Sequence, residues 1–96
     1  MEDTWSIKFR WTELVRYKEK NYIKTIDFVG GDTPICAIKY SIIGTIGNEV
    51  NPDDVTLLYK GTPLDDDEKT LQDYRIPRGF ITMNVKHKVT GLFETF

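Results

Sequence analysis

Nucleophilic and general-base chemistry needs a side chain that can exchange a proton within hydrogen-bond reach of its partner. The chain offers one histidine and one cysteine for that work. His87 lies in the stretch Lys86-His87-Lys88 and reads as a solvated side chain. Cys36 falls one position off an apolar helical stripe, and free cysteine commonly behaves there as a small buried apolar residue. A reactive thiol needs an exposed, electropositive setting instead. One His and one Cys do not supply the four ligands of a structural zinc site. The run Asp65-Asp66-Asp67-Glu68 lacks the alternating ligands and central glycine of a calcium loop and reads as a solvated turn. Gly30-Gly31 has neither the spaced glycines nor the following Lys-Ser/Thr of a phosphate loop. No catalytic residue, metal site or cofactor is therefore expected, and the chain is read as non-enzymatic with no small-molecule substrate.

The elements that would position a recognition surface must fit one domain. At 96 residues, 1–96 can support a single core, expected over about 6–88. The formal charge of -2 gives no uniform field toward nucleic acid or an anionic membrane, so neither is expected as a partner. Distribution is less even: six bases (Lys8, Arg10, Arg16, Lys18, Lys20, Lys24) lie in the first quarter, and eight acids lie between Glu49 and Asp73. A lone cysteine forms no internal disulfide, which makes reducing cytoplasm or nucleus the default compartment. No apolar run approaches the roughly 20 residues of a membrane span. Met1-Glu2-Asp3-Thr4 lacks the start of a signal peptide, and Glu94-Thr95-Phe96 is no prenylation box. Nothing in the sequence calls for a second copy, so a monomer is expected.

Alternation of apolar and charged residues in Ile7-Lys8-Phe9-Arg10-Trp11 predicts a half-buried strand. Residues 12–21 are charged and weakly periodic, and are expected as a long loop or an extended, mobile hairpin connection. A second strand over Tyr22 to Val29, with Ile26 and Phe28 inward, stops at Gly30-Gly31. Thr33 is placed to cap a helix with Pro34 at its first position. Ile35, Ile38 and Ile42 then recur at helical spacing, with Lys39 beside them and an end near Gly44, before a turn at Gly47-Asn48. Val55 to Tyr59 and Ile81 to Val85 read as the last two strands, and 89–96 as a flexible tail.

Strand, strand, helix, strand, strand is an order shared by several small α+β folds, and particular residues narrow the choice. The string Leu57-Leu58-Tyr59-Lys60-Gly61-Thr62-Pro63-Leu64-Asp65-Asp66, followed by Thr70-Leu71-Gln72-Asp73-Tyr74-Arg75-Ile76, resembles the strand-three region of ubiquitin. Ile35, Ile38 and Ile42 resemble that family's helix stripe, and Lys39 its partly buried helix lysine. The resemblance covers roughly Ile7 to Lys86. It implies a ubiquitin-like β-grasp, a mixed sheet of four or five strands with one helix across one face. A narrower likeness, carried by Asn21-Tyr22, Thr25-Ile26, Phe28, Gly30, Ile35, Ile38-Lys39, Ile42 and Ile76-Pro77-Arg78, is to the DWNN domain of a RING-ligase family tied to mRNA 3′-end processing.

The departures bear on function. Conjugated relatives end in Gly-Gly, whereas Gly91 here stands alone, so conjugation or sulfur carriage is not expected. The positions of the family's apolar docking patch hold Leu58, Thr82 and Asn84, and its best-known chain-forming lysine falls on Thr62. The expected function is a non-catalytic interaction domain of a larger ubiquitin-pathway protein, binding protein partners through Leu58, Lys60, Thr82, Asn84, Lys8 and Arg10. The alternative is a small-GTPase-binding β-grasp that uses the basic residues of its first two strands.

Overall fold

The computed structural model describes residues 4–46 and 50–95, so the turn expected at Gly47-Asn48 lies outside the described residues. Strand β1 (Thr4–Val15) buries Trp5, Ile7, Phe9 and Trp11 and exposes Lys8 and Arg10, as period-two alternation requires. It is central: β2 (Lys18–Gly30) pairs antiparallel on one side and β5 (Gly79–His87) parallel on the other. β3 (Val55–Tyr59) pairs antiparallel with β5, and the two-residue β4 (Thr62–Pro63) with β3. The order β2-β1-β5-β3-β4, with helix α1 (Ile35–Ile46) between β2 and β3, is the expected mixed-sheet β-grasp.

Of the two forms expected over 12–21, the structure has the hairpin and not the loop, paired in register from Thr12↔Asn21 to Val15↔Lys18. Its two-residue turn, Arg16 (φ 51) and Tyr17 (φ 67), has the left-handed geometry whose twist suits hairpins. Arg and Tyr there carry no turn signal. These strands also have little core to face, so their sequence lacks clean alternation.

Phe28 is the other strand correction. Trp5 pairs with Val29 but Ile7 with Ile26, so Asp27 and Phe28 bulge opposite Ser6. With φ 61, Phe28 is swung outward and is 83% exposed, while Ile26 is only partly buried against the core.

The helix does bury Ile35, Ile38 and Ile42, joined by Ile43 and Ile46, and runs two residues beyond Gly44. Its start differs from the expected Thr33 cap. The Ile35 and Cys36 amides donate to the carbonyls of Lys69 (2.8 Å) and Asp67 (3.1 Å), and Pro34 precedes the helix, its carbonyl accepting from Ala37 and Ile38. The acidic loop is thus packed on the helix and satisfies its first free donors. The buried Lys39 ammonium completes that contact, 2.7 Å from Asp67 Oδ1.

Side-chain hydrogen bonds hold the next turn. Asp66 N–H donates to the Tyr74 hydroxyl (2.9 Å), and Thr70 and Asp73 cap each other's amides (3.0 and 3.2 Å). Gly31 lies against the Trp5 ring, and a Cβ there would stand 2.8 Å from Trp5 Cζ3. Gly31→Ala is therefore expected to cost about 1–3 kcal/mol in urea melts, the usual range for overpacking a rigid neighbour.

The chain after β5 is not a free tail throughout. It passes through a turn that includes Gly91 (φ 82) and resumes the direction of β5, and β6 (Phe93–Thr95) pairs parallel with Glu13, Leu14 and Val15. Phe93 is buried, its ring edge-on to His87 at 6.0 Å between centroids.

Candidate functional site

Core-facing residues of β1, β5 and β3 pack with the α1 isoleucines in one cluster. The opposite face of the sheet is left outward. Register places its side chains in rows: Lys8 beside Thr25 and Thr82, Arg10 beside Ile23 and Asn84, and Asn84 beside Leu58. Adjacent strands lie about 4.8 Å apart, so Ile23, Arg10, Asn84 and Leu58 form one band roughly 14 Å across. Thr12 pairs with Asn21 and Thr56 with Lys86 in the next rows, and Ser6 with Phe80 in the row beyond Lys8.

Five of the six expected site residues therefore meet on this face. Lys8, Arg10, Thr82 and Asn84 are exposed and Leu58 is half-buried. Lys60 does not extend the band; it occupies the turn after β3 with φ 50, its ammonium 5.5 Å from the Tyr59 ring centroid. Sequence reasoning missed three residues: Ile23 (59% exposed), Phe80 (90% exposed) and Lys86. Continuing the outward alternation of the last strand past Thr82 and Asn84 would have found Phe80 and Lys86. Ile23 depends on a cross-strand register that no local pattern shows.

No carboxylate stands in these paired rows, which contain Lys8, Arg10 and Lys86. Neither Arg10 nor Lys86 makes an ion pair among the described residues. The face combines unpaired cations, amide and hydroxyl donors, and separated apolar side chains. Such a surface can recognise an anionic, partly apolar partner.

The chemistry-bearing residues are dispersed. His87 is half-buried, its Nδ1 accepting the Val89 amide (3.1 Å) and its Nε2 4.0 Å from Asp54 Oδ2. Its imidazole braces the turn into β6, in place of the solvent setting expected for it. Cys36 is unpaired and half-buried. Among the described residues no group of three His, Cys, Asp or Glu is placed to hold a metal, and no helix is long and apolar enough to cross a membrane.

No family model matches the chain, and no curated protein sequence matches it. Solved structures do. The chain is similar to the ubiquitin of Caldiarchaeum subterraneum (17% identity, TM-score 0.65, covering 92% of this chain and 98% of that one). It is also similar to a protein designed de novo on the basis of ubiquitin (22%, TM-score 0.64, covering 93% and 94%). A third likeness is to the ubiquitin-like domain of an Arabidopsis thaliana protein (22%, TM-score 0.57, covering 84% and 78%). The fold is thus the ubiquitin-like β-grasp.

Proposed function

We propose that this chain is a non-catalytic ubiquitin-like interaction domain that docks protein partners on the outer face of its sheet. Leu58, Thr82, Asn84, Lys8 and Arg10 form the surface, with Phe80 and Ile23 as further apolar contacts. The observation that carries this reading is the band Ile23, Arg10, Asn84, Leu58, which sets apolar side chains on either side of a cation and an amide. The helix occupies the other face, so this is the broad surface left for a partner. The domain serves as a monomeric module of a larger ubiquitin-pathway protein of the cytoplasm or nucleus, and the DWNN-like ligase setting is the narrower form of the same proposal.

Interface energy concentrates in a few central side chains, whereas peripheral charges act mainly on encounter rates. With a partner in hand, Leu58→Ala and Phe80→Ala are each expected to weaken binding by about 1–2 kcal/mol, and Lys8→Glu to lower the association rate. Amide-shift mapping checks the location. Shifts confined to α1 or the acidic loop, with Leu58→Ala binding as tightly as the parent, would put the docking face on the wrong side.

The domain is further proposed not to be conjugated through residues 91–95. An acyl donor must thread an enzyme cleft as a slim extended chain, but here Phe93 is buried and its strand is hydrogen-bonded to β1. Incubation with an activating enzyme and ATP is expected to yield no thioester. An adduct through Gly91 is the contrary result.

A second reading is favoured by one feature: β2 is an edge strand, with Lys18, Lys20 and Lys24 exposed along it. A small-GTPase-like partner could add its own edge strand there, against an acidic surface. Shifts running along β2 and sparing Leu58 and Phe80 would select it.

A further inference from the structure

β5 accompanies β1 only as far as Arg10↔Asn84, and β6 takes up the same side of β1 only from Glu13↔Phe93. Trp11 and Thr12 thus face a seam in which β1 has neither strand beside it. The chain crosses this gap through the turn at Gly91. A hollow of about 290 Å³ opens there, lined by Arg10, Thr12, Asn21, Asn84, Lys86 and Gly91 among others.

The lining is one-sided in its chemistry. It contains two cations and no carboxylate. The Thr12 hydroxyl donates to Asn21 Oδ1 (2.8 Å), which leaves the Asn21 amino group as a donor. Asn84 adds another amide, Arg10 a planar fork of donors suited to a carboxylate, and Lys86 a mobile point charge. Arg10 and Lys86 have no ion-pair partner among the described residues.

We propose that this seam is a carboxylate receptor, which seats Asp or Glu side chains of an acidic partner segment between Arg10 and Lys86. The inference rests on the docking reading above and names the chemistry of its partner. A protein segment is favoured over other anions by what flanks the hollow: Ile23 lines it and Leu58 adjoins Asn84, so an acidic residue in the seam has apolar contacts on either side. Nucleic acid is disfavoured, because the two aromatic residues at the hollow, Trp11 and Tyr22, alternate to the core side of the sheet from Arg10, Thr12 and Asn84 and stack on each other there (5.8 Å between centroids, 15° between planes), which leaves no ring beside the cations for a base to stack on.

The test is titration of the ¹⁵N-labelled chain with a blocked penta-glutamate peptide, with inorganic phosphate and with oligothymidylate in parallel arms. Penta-glutamate is expected to move the amides of Arg10, Thr12, Asn21, Asn84 and Lys86 saturably, and less as salt is raised. The double variant Arg10→Gln, Lys86→Gln is expected to weaken that binding roughly fivefold, as two partly exposed charge pairs should, with its denaturation midpoint unchanged. Unchanged binding by the double variant overturns the proposal. So do shifts spread equally over Lys18, Lys20 and Lys24, or tighter binding of phosphate or oligothymidylate. Leu58→Ala separates the two readings. If it weakens a natural partner and the double variant does not, the docking face stands and the receptor falls; if penta-glutamate binds in the seam while Leu58→Ala leaves the partner unaffected, the docking reading falls and the receptor stands.

Discussion

Trp5→Ala is expected to cost about 3–5 kcal/mol, the range for truncating a buried large aromatic. Trp5 is 2% exposed, so the whole ring is lost from the core and the Gly31 backbone packed on it loses its support. Its indole N–H also donates to the Pro77 carbonyl at 2.8 Å, tying the start of β1 to the turn that launches β5. A net hydrogen bond contributes about 1 kcal/mol, so Trp5→Phe, which keeps most of the apolar volume, should cost about 1–2 kcal/mol. A domain this size holds roughly 5–15 kcal/mol in total, and Trp5→Ala should therefore lower the thermal midpoint by more than about 10 °C. Calorimetry or urea melts check it. A loss below about 1 kcal/mol would mean the ring contributes little to packing.

Ile38→Ala should come next, at about 2–5 kcal/mol. Ile38 is 3% exposed on the buried side of α1, between Ile35 and Ile42. The paired control is Tyr40, two residues on and 64% exposed, whose replacement by Ala should change stability by less than about 0.5 kcal/mol. Equal effects at the two positions would contradict the assigned helix face.

Legibility in the sequence depends on where periodicity is enforced. Ile7, Phe9, Ile81, Met83 and Val85 alternate because helix and solvent lie on opposite sides of their strands, and the same rule marked Lys8, Arg10, Thr82 and Asn84 as outward. The hairpin over 12–21 is not distinguishable from a loop in the sequence because its β2 half is exposed on both faces, so neither side selects apolar residues. Phe28 was misplaced because one bulged residue reverses the facing of its successors along the strand, and its positive φ sits on a residue type that rarely adopts it. Phe93 was lost to the expected flexible tail because a three-residue strand leaves too short a pattern to recognise. Of the candidate site, the single-strand components were visible. Ile23 and the seam between Arg10 and Lys86 were not, because both arise from register between strands distant in sequence.

That register also governs how the chain is made. The central strand pairs Trp5 with Gly79 and Arg10 with Asn84, so β1 waits for a strand that lies far behind it in the order of synthesis. At about 5–20 residues per second, β1 and its hairpin emerge several seconds before β5 exists. During that interval Trp5, Ile7, Phe9 and Trp11 form an apolar strip with an unpaired backbone edge alongside. The native topology is dominated by such non-local pairing, which makes folding comparatively slow. Each nascent chain therefore carries this apolar strand exposed until β5 arrives, and the hairpin that protects one edge of β1 is a part of the sheet able to form without waiting for the rest.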